Sequence, residues 1–132
     1  MRLSRARLDE ILQHVAAGGG LEVSGILAGN RERVERVFPI RNAHADPERR
    51  YEMDPREQLH AYRAIEDAGM DVVAYYHSHP DFAKGELSAT DLAQATEGDY
   101  ALYALVHRGA LRAFAVERGV AREVPVEVSE RA

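Results

Sequence analysis

Two histidines, a serine and an aspartate are spaced in a way that suits a catalytic metal ion. They lie in His77–Pro80 (HSHP), which is followed by seven residues and then by Ser88–Asp91 (SATD). Side chains of a strand alternate between its faces, so His77 and His79 point the same way if they end a strand. With Asp91 from the next element they make three protein ligands, which leave a fourth zinc position for water, as in catalytic zinc sites.

The same residues also fit roles in folding alone. Ser88 and Asp91 have the spacing of a capping box, in which a serine N-cap and an acid three residues later satisfy the first N–H groups of a helix. The two roles are compatible, because only one Asp91 oxygen has to bind metal. An isolated His-x-His pair is more often structural, but Pro80 and the correctly spaced acid favour metal binding. Ser78 is expected only to turn its hydroxyl toward the backbone.

The motif resembles that of the JAMM (MPN-plus) metalloprotease family, which reads Glu … His-Ser/Thr-His-Pro, seven residues, Ser-x-x-Asp. The specified positions of the motif all match, and they are His77, Ser78, His79, Pro80, Ser88 and Asp91. Glu22 matches the upstream glutamate, in a segment from Leu21 to Gly29 that resembles the family's first strand. The resemblance extends to about Phe114. Leu87 departs mildly from the pattern, because many relatives have proline before the serine; the shape of the preceding loop therefore does not follow from the family.

The resemblance implies an amide or isopeptide hydrolase that holds one Zn²⁺ per chain. His77, His79 and Asp91 would bind the metal, which lowers the pKa of a bound water toward about 7. Glu22 would be the general base that takes the water's proton and passes it to the leaving amine. Ser88 would donate a hydrogen bond to the developing oxyanion. The competing interpretation of Glu22 is a solvated charge at a strand end.

The family also suggests a substrate class. Its members cleave after the C-terminal glycine of ubiquitin-like β-grasp proteins, and this short chain resembles the prokaryotic branch, which acts on small modifiers or sulfur-carrier adducts. The implied partner is thus the C-terminal tail of a ubiquitin-like or sulfur-carrier protein. Two other functions stay open: a non-catalytic scaffold, as in metal-free MPN relatives, and a zinc hydrolase of a small amide. A cysteine-ligated nucleobase deaminase is disfavoured, because the chain has no cysteine.

Length and composition limit the class of protein. A chain of 132 residues predicts one domain over residues 1–132. The net charge of −5 argues against nucleic-acid binding, and no apolar run is long enough for a membrane span. The N-terminus does not resemble a signal peptide, so a cytoplasmic location is expected. The lack of cysteine excludes disulfides and a cysteine nucleophile. A homo-oligomer is compatible with the sequence but does not follow from it.

Apolar periodicity and turn residues predict a mixed β-sheet with helices packed against it, an α/β fold bordering on α+β. The resemblance implies the cytidine-deaminase-like fold of the JAMM family. Helices are predicted from the N-cap Ser4 to the glycines at 18–20, from the N-cap Asp54 to about residue 68, and briefly after Ser88. Strands are predicted at residues 24–29, 34–40, 51–53, 72–76, 100–107, 111–116 and 124–128, with turns near Gly29–Asn30 and Arg108–Gly109.

The other histidines and the central tyrosines have simpler expected roles. His14, His60 and His107 are predicted to lie on the surface or to pack helices, and Tyr75 and Tyr76 to be core residues. His44 lies in a polar segment, where a substrate contact stays open as a hypothesis.

Overall fold

Within the residues that the structure describes, the fold is one mixed eight-stranded sheet with three helices. A computed structural model describes residues 1–48, 51–81, 83–94 and 101–130. The helices are α1 (Arg5–Ala17), α2 (Pro55–Asp67) and α3 (Ala89–Gln94). The strands are β1 (Arg2–Ser4), β2 (Ser24–Asn30), β3 (Arg33–Ile40), β4 (Asp71–Ser78), β5 (Leu102–His107), β6 (Ala110–Glu117), β7 (Val120–Val124) and β8 (Glu127–Ser129).

The sheet curls until its two edges approach each other. The strand order is β7-β6-β5-β4-β2-β3-β1-β8, so β7 and β8 lie at opposite edges although only Pro125 and Val126 join them. A two-residue connection spans at most about 11 Å. Met1 fixes this connection beside β1, because its amino group donates to the Pro125 carbonyl (2.9 Å) and its carbonyl accepts from Glu127 N–H (2.9 Å).

The two faces of the sheet carry separate apolar clusters. Leu8 and Ile11 of α1 pack with Leu27 of β2 and Tyr76 of β4 inside the curl. On the other face, residues of α2 pack against β2 and β3, with Tyr75 of β4 at the margin of this cluster. Strand β4 is therefore covered on both sides, as its continuous apolar sequence predicts.

The two longer helices begin where their capping residues predict. Ser4 Oγ accepts from Arg7 N–H (3.2 Å) at the start of α1. The Asp54 carboxylate accepts from Arg56 N–H (2.9 Å) and from Glu57 N–H (3.3 Å) at the start of α2. Each cap satisfies N–H groups that have no partner within the helix.

Several boundaries differ from the sequence-based predictions. The strand predicted at residues 51–53 is wrong, because only an isolated bridge joins Asn42 to Met53. The single strand predicted at 124–128 is wrong too: Pro125 has no N–H for a ladder, and the chain leaves β7 there and enters β8 at the opposite edge. Residue 100, the predicted start of the fifth strand, lies outside the described residues.

The first hairpin turns two residues later than predicted. Arg31 and Glu32 adopt positive φ (52° and 64°), as a two-residue hairpin turn requires. Gly29 serves a different purpose, because a Cβ at this position would lie 1.8 Å from the Arg33 carbonyl oxygen, where the register of β2 and β3 shifts. The turn at Arg108–Gly109 is confirmed, with φ of 52° and 77°.

Within the described residues, no helix has the length and apolar character needed to cross a membrane.

Candidate metal centre

The carboxyl end of β4 presents the two histidines. His77 is the penultimate residue of the strand and is 1 % exposed, and His79 follows the strand. His79 N–H still donates to the Val106 carbonyl of β5 (3.0 Å), so the backbone stays in line with the sheet. The imidazoles therefore project from one face, as the i, i+2 spacing predicts.

Ser78, between the histidines, fixes the neighbouring segment that carries Glu22. Its hydroxyl accepts from Val23 N–H (3.0 Å), and its own N–H donates to the Val23 carbonyl (2.9 Å). The prediction that this hydroxyl faces the backbone is confirmed. The paired bonds place Glu22 beside the histidines, although the two motifs are more than fifty residues apart.

Three ligand-type atoms meet at nearly equal distances. His77 Nε2 lies 3.2 Å from His79 Nε2, and Asp91 Oδ2 lies 3.2 Å from the first nitrogen and 3.1 Å from the second. Ligands bonded to one tetrahedral zinc at about 2.0 Å are about 3.3 Å apart. The triangle of these three atoms thus has the size that a single metal ion requires.

Asp91 takes part in the predicted capping box at the start of α3. Its N–H donates to Ser88 Oγ (3.0 Å), and its Oδ2 accepts from Ser88 N–H (2.8 Å). The sequence interpretation allowed one Asp91 oxygen for each role. The structure uses Oδ2 both for the cap and for facing the histidines, so the cap itself aims the carboxylate at them.

Glu22 belongs to a second possible ligand group. Its carboxylate and the nitrogens of His77 and His79 all lie within 4.8 Å of one another, a group that could hold a metal ion. Glu22 is only 5 % exposed. Its backbone is held by Pro47, whose carbonyl accepts from Glu22 N–H (2.7 Å), and by Asn42, whose side chain donates to the Glu22 carbonyl (2.8 Å). A buried carboxylate in this position is not a solvated strand-end charge.

Each histidine ring has a neighbour that sequence reasoning did not identify. His79 Nδ1 is 2.9 Å from the Lys84 carbonyl, which requires a proton on Nδ1 and leaves the Nε2 lone pair for a metal. The His77 ring is stacked on Tyr51, with centroids 4.7 Å apart and planes 22° apart. No sequence signal specifies either contact, because each depends on how a loop folds back onto the strand end.

The surroundings lower the pKa of Asp91 and raise the pKa values of His79 and Tyr51. Burial raises the pKa of Asp91, but hydrogen bonds from His77, His79 and Ser88 N–H outweigh it and hold that pKa far below its usual range. Burial lowers the pKa of His79, but Asp91 and the Lys84 carbonyl raise it above its ordinary value. Burial, with the Asp91 charge, raises the pKa of Tyr51, so its phenol stays neutral. The carboxylate is therefore ionised and available as an anionic ligand at neutral pH.

Two cavities meet at Asp91. One, of about 450 Å³, is lined by Glu22, His79, Ser88 and the loop that contains Lys84. The other, of about 620 Å³, lies on the Tyr51 side, and four tyrosines are among its lining residues. His44 borders the second cavity. Asp91 is therefore bordered by a cavity on its Glu22 side and by another on its Tyr51 side.

The remaining predicted residues lie elsewhere. His14 Nδ1 lies 2.6 Å from the Tyr76 hydroxyl, so it packs α1 onto the sheet as expected. His60 is exposed on α2, also as expected. His107 is half-buried next to Gly85, and its Nε2 has no hydrogen-bond partner within the described part of the chain.

Comparisons with known proteins identify the family of this chain. The profile of prokaryotic homologs of the JAB domain matches residues 4–118. The chain is 40 % identical over 98 residues to a desampylase from Haloferax volcanii, which covers 70 % of each chain. It is 41 % identical over 117 residues to a CysO-cysteine peptidase from Mycobacterium tuberculosis, covering 83 % of this chain and 78 % of the relative.

A solved structure shares the fold across nearly the whole chain. A solution structure of a protein from Desulfitobacterium hafniense superposes with a TM-score of 0.86 at 27 % identity, covering 98 % of this chain and 93 % of that one. The mixed sheet flanked by helices and the predicted family are both confirmed. The chain belongs to the prokaryotic JAB family, in agreement with the family that its histidine motif predicts and with the branch that its short length predicts.

Proposed function

We propose that this protein is a zinc-dependent amide or isopeptide hydrolase that cleaves after the C-terminal glycine of a ubiquitin-like or sulfur-carrier protein. The triangle of His77 Nε2, His79 Nε2 and Asp91 Oδ2, with edges of 3.1–3.2 Å, is the observation that carries the proposal. Relatives named desampylase and CysO-cysteine peptidase support the substrate class. A cytoplasmic site of action and a single domain over residues 1–132 remain predictions.

The ligands we assign to zinc are His77, His79 and Asp91. Two neutral imidazoles and a carboxylate are a donor set that zinc favours, and three protein ligands leave one position open. When bound there, zinc would lower the pKa of a water molecule and polarise the substrate carbonyl. Asp91 is preferred to Glu22 as the third ligand because its Oδ2 is 3.1–3.2 Å from both nitrogens, which suits a shared ion.

Glu22 is then the general base. Its carboxylate reaches the same cavity as Ser88 and His79, where the substrate carbonyl and the attacking water have to meet. It would take a proton from the water and deliver it to the leaving nitrogen, so that the amine departs neutral. Burial in the fold holds the carboxylate in place for both transfers.

Ser88 stabilises the charge that develops on the carbonyl oxygen. Its Oγ accepts the Asp91 N–H in the capping box, which leaves the hydroxyl proton free to donate toward the cavity. Donors of this kind act mainly in the transition state, because the oxygen carries most charge there. Ser88 thus has a capping role and a catalytic role that use different parts of one hydroxyl.

Glu22→Gln tests the proposal with a nearly isosteric side chain that cannot take a proton. We expect turnover to fall by at least a hundredfold while the protein keeps about one zinc per chain, since general-base catalysis contributes about 10² to 10⁴. Release of the amine from a carrier–amino acid conjugate measures turnover, with and without chelator. Glu86→Gln, an exposed acid bordering the same cavity, is the control.

The outcomes distinguish a general-base role of Glu22 from a metal-ligand role of the same residue. Unchanged turnover in Glu22→Gln would remove this residue from the mechanism. Loss of zinc from Glu22→Gln would make Glu22 a ligand instead. A wild-type protein with neither zinc nor chelator-sensitive release across several β-grasp conjugates would favour the scaffold function.

A further inference from the structure

The ring of Tyr51 covers one face of the His77 imidazole. The centroids are 4.7 Å apart and the planes are inclined by 22°, which is a stacked arrangement. Among the described residues, a second ring near His77 is that of His79, which meets it edge-on, with centroids 5.0 Å apart and planes 61° apart. Tyr51 is thus the aromatic residue that lies flat against a predicted metal ligand within the described part of the chain.

The backbone around Tyr51 is tied to the segment that leaves β3. The Asn42 side-chain oxygen accepts from Glu52 N–H (3.1 Å), and Ala43 N–H donates to the Glu52 carbonyl (2.8 Å). Asn42 also pairs with Met53 in an isolated bridge. Because Asn42 binds the Glu22 carbonyl as well, the same side chain links the Tyr51 segment to the Glu22 segment.

A planar neighbour limits how the His77 ring can turn. The Nε2 lone pair lies in the ring plane, so rotation about the Cβ–Cγ bond swings it away from a metal shared with His79 and Asp91. For His79 a hydrogen bond at Nδ1 sets this rotation, through the Lys84 carbonyl. For His77 the stacked phenol ring supplies the restraint, because rotation of the imidazole would lose the face-to-face contact.

We propose that Tyr51 is a positioning residue that holds His77 in its metal-binding orientation through the face of its ring. The assignment rests on the proposed function for the identity of the ligands, but concerns metal affinity, which can be measured without substrate. Partners that orient metal ligands typically change metal affinity by about 10- to 100-fold when they are removed. The ring face is the active feature, and the hydroxyl is dispensable.

Three substitutions separate the ring face from side-chain volume and from the hydroxyl. Tyr51→Phe keeps the face, Tyr51→Leu fills much of the space without a plane, and Tyr51→Ala empties it. We expect zinc affinity, measured by competition with a chromophoric chelator, to be within about twofold of wild type for Phe and about tenfold or more weaker for Leu and Ala. The visible spectrum of the Co²⁺-loaded protein should be unchanged for Phe and altered for Leu.

Tyr62→Leu is the matched control. Tyr62 lines the same cavity, and its hydroxyl pairs with that of Tyr75 (2.8 Å), but it has no stacking contact with a predicted ligand. We expect this variant to bind zinc and Co²⁺ like wild type.

A measurement on the unaltered protein covers the case in which the Leu and Ala variants do not fold. The carbon-bound ring protons of His77 should resonate upfield in the metal-free wild type, because they lie over the Tyr51 ring, and should keep that shift in Tyr51→Phe. Wild-type zinc affinity in Tyr51→Leu, or weakened affinity in Tyr51→Phe, would overturn the proposal. Tight zinc binding without any hydrolysis would overturn the proposed function and leave the role of Tyr51 intact.

Discussion

Asp91 Oδ2 meets two ring nitrogens and one backbone N–H within 3.2 Å. A carboxylate oxygen has enough lone-pair capacity to accept a capping N–H and to bind a metal at the same time. The capping box therefore does more than start α3, because it also directs the carboxylate toward the two histidines. At this scale, a residue pattern that is common at helix starts becomes part of a candidate metal centre, because its neighbours are two histidines.

Ser88→Ala should separate the capping role of Ser88 from its catalytic role. Losing a serine N-cap costs about 1 kcal/mol of stability, and losing an oxyanion donor costs about a hundredfold to a thousandfold in turnover. Ser4→Ala is the matched control, because Ser4 Oγ caps α1 in the same way, away from the site.

We expect similar losses of unfolding free energy in the two serine variants, measured in urea, but a loss of turnover in Ser88→Ala alone. Turnover in Ser88→Ala equal to that of Ser4→Ala, at equal zinc content, would mean that Ser88 is a cap and nothing more.

At the scale of elements, two arginines of the β5–β6 hairpin donate hydrogen bonds to the loop that follows His79 and contains Asp81 and Gly85. Arg112 of β6 pairs with Glu123 of β7 through two bonds (2.7 and 3.1 Å), and its Nη1 donates to the Gly85 carbonyl. Arg108 donates to the Asp81 carbonyl (2.9 and 3.2 Å). These contacts hold the loop where the Lys84 carbonyl accepts from His79, so an edge strand helps to orient a ligand.

Arg112→Ala is expected to weaken zinc binding by about tenfold, because the loop loses its anchor and His79 loses a fixed acceptor. Competition with a chromophoric chelator measures the change. Arg5→Ala is the control, since Arg5 also pairs with an acid (Glu130, 3.5 Å) but lies far from the loop along the chain. Equal zinc affinity in Arg112→Ala, Arg5→Ala and wild type would show that the loop keeps its shape without this anchor.

Helices and strands that are marked by a capping residue or an apolar run were predictable from the sequence. Strands that form only by pairing with a segment far along the chain were not. The N-caps Ser4 and Asp54 mark α1 and α2, and the apolar run before His77 marks a central strand. By contrast, β1 has three residues, which is too short for a periodic pattern, and β7 has the half-polar sequence VAREV. Both are strands only because the curled sheet offers them a partner.

In the candidate site too, the contacts within a short motif were predictable from the sequence, and the contacts between distant segments were not. The residue types and spacing from His77 to Asp91 identify the triangle, because two adjacent elements supply all of it. The contact between Tyr51 and His77, and the anchor from Arg112 to the loop, join segments 26 and 27 residues apart (77 − 51 and 112 − 85). Neither follows a short motif, so only the folded structure displays them.

At the scale of the whole molecule, the core and the site are largely separate. The main apolar cluster lies around α1 inside the curled sheet, whereas the ligand triangle lies at the end of β4 on the α2 side. The three predicted ligand atoms lie within 3.2 Å of one another, and their side chains are positioned by the end of β4 and by the capping box of α3. We therefore expect the metal to bind a folded protein rather than to drive folding, unlike a structural zinc finger.

Metal removal tests this separation. The chelated protein should keep its far-ultraviolet circular dichroism and a cooperative thermal transition. Zinc at a hundredfold excess over its Kd should add about 2.7 kcal/mol, which raises Tm by about 10 °C for a domain of this size. Loss of secondary structure on chelation would contradict the account, because it would make the metal part of the core.

The most direct test of the central claim is a crystal structure of the zinc-loaded protein with anomalous diffraction at the zinc edge. The account predicts one zinc ion about 2.0 Å from His77 Nε2, His79 Nε2 and Asp91 Oδ2, with Glu22 facing its open position without bonding to it. A zinc ion bound through Glu22 and away from Asp91, or no zinc between the histidines at saturating metal, would contradict it.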